Sequence, residues 1–448
     1  MRSFIGKFLL LAGVAGMAVW WSCVSQEQPP TTLKSRTSIA DTPVVKPILV
    51  PPRPLPPLEH PYHGLAWQIH HSEGGVAGMA VWWSCVSQEQ PPTTLKSRTS
   101  IADTPVVKPI LVPPRPLPPL EHPYHGLAWQ IHHSEGCVDT ARRLLGEMAD
   151  LGADAVLISN AGYQEHAGSA SFRIDPNVTP SEAQWLEIFK IAHSHGLRVI
   201  LMPIILLSDP RGSEWRGVIN PPSWDDWFEQ YRDFLLHFAR IAQKGGVDVM
   251  TVGSELISTE TYTARWHRLI RDVRKVFTGK LSYSANWDHY KAVEFWDELD
   301  LVGMTSYYKL AAEPNPSLES LIEAWKPIKR GILRWQRDIG KPLLFTEAGW
   351  CSQEGASIEP WNYYYKQDAT AAGLKEQENC YQAFIETWAR TPQVGGVLWW
   401  EWNESAGGTD DYNYTPRGKP AEEVLRQWFA SNRPKADIVQ TPASRPGL

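Results

Sequence analysis

The chain has 448 residues, room for one large domain or two to three ordinary ones. With 43 Lys and Arg against 49 Asp and Glu, its net charge of −6 implies no basic face for nucleic acid. A hydrophobic content of 43% beside 21% charged residues fits a soluble globular protein, and five Cys exclude a disulfide-dense scaffold.

Trp is over-represented, 22 against 15 Tyr and 12 Phe, a bias that suits flat ligand faces, sugars among them. A second oddity is a repeat: residues 13–74 recur letter for letter as 75–136, a period of 62. Structural repeats diverge in sequence. An identical pair is explained better by a recent tandem duplication or an error in gene assembly.

Residues 1–24 carry a short basic start (Arg2, Lys7) and an apolar run over 8–21, the pattern of a signal peptide. Ser22-Cys23 at its end hints at a lipidated Cys23. Residues 25–74 form a Pro-rich linker that ends in an extra copy of the first strand. Residues 75–122 duplicate the signal-like and Pro-rich segment. The second apolar stretch, 76–86, is too short to span a membrane. The Pro-rich runs predict extended polyproline-like chain, a tether. The protein is therefore expected to be exported, to meet a membrane only through an N-terminal lipid or signal anchor, and to be a monomer.

From 123 to 431 strand and helix signals alternate, and 432–448 reads as a disordered tail. Strands are predicted at 126–132, 155–159, 198–204, 249–253, 281–285, 301–305, 342–346 and 396–400. Helices are predicted at 138–151, 180–196, 224–244, 262–277, 292–298 (weakly), 318–339, 375–390 and 421–430. Eight strands alternating with helices predict a parallel (β/α)8 barrel in a single domain. The competitor is a doubly wound open sheet, but no Gly-rich phosphate turn follows the first strand. A barrel has one slot for a first strand, so the copy at 64–70 is expected to lie outside it.

Barrel enzymes carry their chemistry at the carboxyl ends of strands. The fourth strand ends Val252-Gly253-Ser254-Glu255 and the seventh Thr346-Glu347-Ala348-Gly349-Trp350. Each puts one carboxylate at the same face after an apolar run. Two such carboxylates are what glycoside hydrolysis needs, one protonated to donate to the leaving oxygen and one ionised.

These residues resemble clan A of the glycoside hydrolases. Trp215-Arg216-Gly217, the segment 224–231, Val252-Gly253-Ser254-Glu255-Leu256 and Leu344 to Trp350 resemble its family 113, over about residues 126–429. The resemblance implies a retaining, double-displacement reaction with carboxyls about 5–5.5 Å apart. Glu255 would be the acid/base and Glu347 the nucleophile. The implied activity is that of an endo-β-1,4-mannanase. Most of the clan has Asn before the acid/base, where it binds the sugar 2-hydroxyl. Ser254 stands there; family 113 resembles the chain in lacking that Asn, and the 2-hydroxyl contact stays open.

Tyr307, after the sixth strand, resembles the clan's hydrogen-bond donor to the nucleophile. In Trp399-Trp400-Glu401-Trp402, strand alternation puts Trp400 and Trp402 on one face. One of them, Trp400 in first place, should floor the central sugar subsite. Asn286 and Trp287, after the fifth strand, would bind hydroxyls or close the pocket. Trp129, Gln130 and His132 would line the mouth or be packed.

Alternation also puts His132 and His133 on opposite faces, so they cannot share an ion within the strand. No metal and no cofactor are expected. Cys137 and Cys351 are expected as free thiols and Cys380 in the core. The partner is an oligosaccharide or polysaccharide, mannan-type first and another β-glycan as the alternative. A non-enzymatic carbohydrate-binding barrel lipoprotein is a further reading, against which the intact Glu255 and Glu347 count.

Overall fold

A computed structural model describes residues 122–432. The signal-like segment, the linker, the extra strand copy, most of the duplicated segment and the tail after 432 lie outside the described residues.

The strands are β1 (Tyr124–Ile131), β2 (Ala155–Gln164), β3 (Phe172–Arg173), β4 (Arg198–Leu207), β5 (Val249–Ser254), β6 (Lys280–Ala285), β7 (Val302–Thr305), β8 (Leu343–Ala348) and β9 (Val394–Trp399). The helices are α1 (Cys137–Leu151), α2 (Glu182–Ser194), α3 (Trp224–Gly245), α4 (Thr263–Arg274), α5 (Leu318–Ile339), α6 (Ala371–Trp388) and α7 (Pro420–Asn432). The sheet runs β1-β9-β8-β7-β6-β5-β4-β2-β3 and closes through β1–β2. All pairings are parallel except β2–β3, a two-residue antiparallel flap. This is the expected (β/α)8 barrel, with β1 in the first-strand slot.

Local chemistry sets the element ends. The Ser181 side chain accepts from the Gln184 N–H while Gln184 bonds back, a capping box that starts α2. Ser223 caps α3, and Asp225 and Asp226 sit in its first turn, where the helix dipole favours acids. Gly246 ends α3 at φ 67°, a left-handed turn that glycine adopts without a Cβ clash.

Two sequence expectations change. The weak helix at 292–298 is only a 3-10 turn, Trp296–Glu298. The adjacent rings of Phe295 and Trp296 are both buried, Phe295 stacked on Trp266 at 4.8 Å and Trp296 edge-on to Trp335 at 5.9 Å. A regular helix turns successive side chains about 100° apart, which does not suit that shared burial.

The Trp excess also has a different cause. Trp129, Trp185, Trp227, Trp266, Trp296, Trp325, Trp350, Trp388 and Trp399 are all fully buried side chains. They thicken the core, many in edge-to-face and stacked clusters such as Trp325–Phe384–Trp388, instead of facing a ligand. Cys137, Cys351 and Cys380 are buried free thiols.

Candidate active site

β5 ends at Ser254 and the chain turns at once. Glu255 takes a left-handed conformation, φ 53°, which a non-glycine residue keeps only when its neighbours hold it. Its N–H donates to the Ser284 carbonyl of β6 at 2.8 Å, and the Leu256 N–H donates to the Tyr283 hydroxyl at 2.9 Å. Tyr283 donates in turn to Glu260 at 2.7 Å, and His289 Nδ1 meets the other Glu260 oxygen at 2.6 Å. This buried chain of bonds fixes the turn, so the barrel wall sets the origin of the Glu255 side chain.

Two groups hold the carboxyl itself. Arg216 Nη2 donates to Glu255 Oε2 at 2.7 Å, and Thr305 Oγ1 donates to Oε1 at 3.3 Å. Arg216 comes from the 3-10 turn Arg216–Val218, between β4 and α3. The pair is sealed from water, with side chains 3% and 1% exposed.

Glu347 stands on β8, where the pairing with β7 shifts register and sets it opposite Thr305. The Tyr307 hydroxyl donates to Glu347 Oε2 at 2.8 Å. The Glu347 carbonyl accepts from Ser306, from N–H at 2.9 Å and from Oγ at 3.0 Å. Thr305 also accepts from the Trp287 N–H at 3.1 Å. One threonine thus links the support of Glu255 to the turn after β6.

Burial is the main force on both groups. It pushes Glu347 up to about 8, with the neighbouring Glu255 adding to the rise, while Arg216 and the Tyr307 hydrogen bond pull it down. Burial raises Glu255 as well, against Arg216 and Thr305. The two interact, so they titrate as a pair that keeps a proton near neutral pH.

A cavity of about 380 Å³ opens at the barrel mouth. Gln130 and His132 from the end of β1, Tyr163 of β2, Tyr363 from the loop after β8, and Glu401 and Tyr414 from the loop after β9 help line it. The Tyr414 ring lies 6.2 Å from the Tyr307 ring, so the cavity adjoins the support of Glu347.

Of the residues singled out from sequence, Glu255, Glu347 and Tyr307 come together as buried neighbours. Ser254 is buried with no hydrogen-bond partner for its hydroxyl. Trp287 stacks on Trp361 at 5.6 Å, and its carbonyl accepts from the Tyr308 hydroxyl at 2.7 Å. Asn286 bonds Asp288 at 2.7 Å. Trp400 is buried at the end of β9, its N–H on the Ala348 carbonyl at 2.8 Å.

Two expectations fail, and a third, left open between lining the mouth and packing, resolves to packing. Trp402 does not share a ligand face with Trp400. β9 ends at Trp399, so strand alternation does not reach Trp402. Its indole N–H donates to Glu147 of α1 at 2.9 Å, and the Arg417 guanidinium covers its ring at 4.7 Å. Trp129 does not line the mouth: its neighbour Gln130 does, so Trp129 occupies the other face of β1, fully buried. Nor are His132 and His133 parted to opposite faces of a strand, because β1 ends at Ile131 and both histidines line the cavity. Burial holds His132 down to about 4, so it is neutral. Among the described residues, the grouping with metal-ligand reach is His267, Asp297 and Glu298, before β7 at the opposite end of the barrel.

Sequence reasoning missed Arg216, Thr305, Glu401 and Tyr414. Signals existed for two: Arg216 sits inside the Trp-Arg-Gly motif, and Glu401 is an acid set among three Trp.

The closed barrel with a buried carboxyl after its fourth and seventh strands has the make-up of a barrel glycoside hydrolase. Residues 127–419 match the family model of Glycoside Hydrolase Family 113, and the chain belongs to that family. It is a glycoside hydrolase, and its substrate is an oligosaccharide or polysaccharide. Among solved structures it is similar to the GH113 β-mannanase AaManA from Alicyclobacillus acidocaldarius in complex with ManMIm, at 28% identity and a TM-score of 0.62, covering 70% of this chain and 98% of that one. It is also similar to a GH113 β-1,4-mannanase at 28% identity and a TM-score of 0.61, covering 69% of this chain and 99% of that one. A complex of a GH113 β-1,4-mannanase matches at 27% identity and a TM-score of 0.58, with coverage of 69% and 99%. No curated protein sequence matches the chain.

Proposed function

We propose that this chain is a retaining glycosidase that cleaves β-1,4-linked mannan-type polysaccharide, with Glu347 as nucleophile and Glu255 as acid/base. The observation that carries the reading is the unlike support of two interacting buried carboxyls, Tyr307 on Glu347 and Arg216 with Thr305 on Glu255. The likeness to β-1,4-mannanases supports the choice of sugar.

In the first step a Glu347 oxygen attacks the anomeric carbon, the bond to the leaving oxygen breaks, and the Glu255 proton passes to that oxygen. In the second, Glu255 takes a proton from water, the water oxygen attacks the same carbon, and Glu347 leaves as carboxylate. The roles need the shared proton on Glu255. The Tyr307 O–H favours an ionised Glu347, and a glycosidic oxygen hydrogen-bonds only to a protonated Glu255. Arg216 pulls the other way, so its pair with Glu255 must loosen as the leaving oxygen arrives. Trp400 is the first candidate for the ring beneath the reacting sugar, with Asn286, Trp287 and Ser254 around it.

The proposal extends to the rest of the chain on sequence pattern alone. Residues 123–431 form the catalytic domain, 1–24 direct export, Cys23 carries a lipid, and the protein works as a monomer outside the cytoplasm or tethered to a membrane.

The test is reducing-sugar release by the full chain on mannan, glucomannan, xylan and β-glucans, with Glu347→Ala alongside. Release confined to mannan-type substrates and absent from the variant supports the reading. Release from xylan or β-glucan only, or a fully active variant, overturns it.

A further inference from the structure

The cavity at the mouth holds a carboxyl that the two-step chemistry does not use. Glu401 is 4% exposed and lines the cavity. Its Oε1 accepts from Asn403 Nδ2 at 3.1 Å, while Oε2 is buried with no donor among the described residues. Gln130 Oε1, which lines the same space, is likewise buried without a donor. Buried acceptors are rarely left unmade, because each loses its water without compensation. Two of them in one cavity call for hydroxyl donors from whatever fills it.

The rest of the lining suits a pyranose. Tyr163, Tyr363, Tyr412 and Tyr414 offer flat apolar rings with polar edges. The cavity volume of about 380 Å³ falls within the range of small-molecule sites. Its position sets which end of the substrate it meets. Tyr414 lies against Tyr307, whose hydroxyl bonds Glu347. Glu347 bonds the sugar that stays, so this side takes the sugars on the non-leaving end.

We propose that Glu401 is a specificity-determining residue whose Oε2 accepts a hydrogen bond from a hydroxyl of a sugar on the non-leaving side. The assignment rests on the mannan-type, Glu347-dependent reading above. Glu401→Gln is a sharp probe. The new amide oxygen takes over the Asn403 bond, which turns the NH₂ toward the cavity and replaces an acceptor with a donor. Glu401→Asp keeps a carboxyl and withdraws it by one methylene.

The experiment is calorimetric binding of β-1,4-mannohexaose to the full chain in a Glu347→Ala background, with and without each Glu401 change, the fold of each variant checked by thermal melting. The inference predicts that Glu347→Ala binds without turnover and that both Glu401 changes weaken binding by about tenfold or more while the fold persists. Unchanged binding in either folded variant overturns the inference and leaves the Glu347 reading standing. Turnover by Glu347→Ala, or no binding by it, overturns the underlying reading and the inference with it.

Discussion

Arg216 and Glu255 form an ion pair of 2.7 Å that solvent barely reaches. Arg216 leaves the loop after β4 to cross to a carboxyl that begins after β5, so two barrel strands determine one contact. Its charge lowers both carboxyls of the pair. Arg216→Met removes that influence, so Glu347 ionises later and Glu255 holds its proton to higher pH. Both limbs of the kcat/KM–pH profile should therefore move upward. A pH-rate profile of the variant checks this, and two unmoved limbs would show that Arg216 only packs.

Tyr307→Phe removes one hydroxyl and little volume. Hydrogen bonds to charged groups are worth about 1.5–3 kcal/mol, so kcat/KM should fall roughly 10- to 100-fold. The bond favours ionised Glu347. Its loss raises that carboxyl further, and the acidic limb should shift to higher pH. Steady-state kinetics across pH separate this from simple loss of packing, which moves no limb.

Glu347→Ala and Glu255→Ala should differ in kind. The first removes the attacking atom and loses nearly all turnover on every substrate. The second removes proton donation, worth roughly 10²–10⁴-fold, and keeps more activity on aryl glycosides whose leaving group needs no proton. Parallel assays on an oligosaccharide and an activated aryl glycoside read the difference. Equal, mild effects of both would contradict the roles.

Gly349 lets two strand ends meet. A Cβ there would lie 2.1 Å from the Trp400 carbonyl oxygen. Backbone cannot yield as a side-chain tip can, and overpacking costs about 1–3 kcal/mol. Gly349→Ala should lower the Tm and disturb Trp400, reducing activity beyond the stability loss. Thermal melts and kinetics at a temperature where the variant is folded check both.

The barrel was legible because its signals are local and repeated. The strand predicted at 155–159 is the apolar run Ala-Val-Leu-Ile before Ser159, and it continues to Gln164. Helices such as α3 begin at a cap and end at a glycine. That Glu255 and Glu347 share one buried site was legible for a related reason: each follows an apolar run at the same end of the barrel, and it is the pair, not either acid alone, that points there.

What sequence could not give depends on contacts across the fold. Arg216 lies 39 residues from Glu255 and at no strand end, so nothing in its neighbourhood marks its partner. Glu401 and Trp402 were misread or passed over because alternation was carried past Trp399, where the strand has already ended. Trp abundance was read as ligand surface, whereas helix–barrel packing consumes most of those rings and tyrosines line the cavity.

The most direct test of the account is to trap the covalent intermediate. The full chain is incubated with 2-deoxy-2-fluoro-β-mannosyl fluoride, digested, and its peptides mapped by mass spectrometry. The account predicts time-dependent inactivation and a single fluorosugar on Glu347. A label on Glu255 or on any other residue would contradict it.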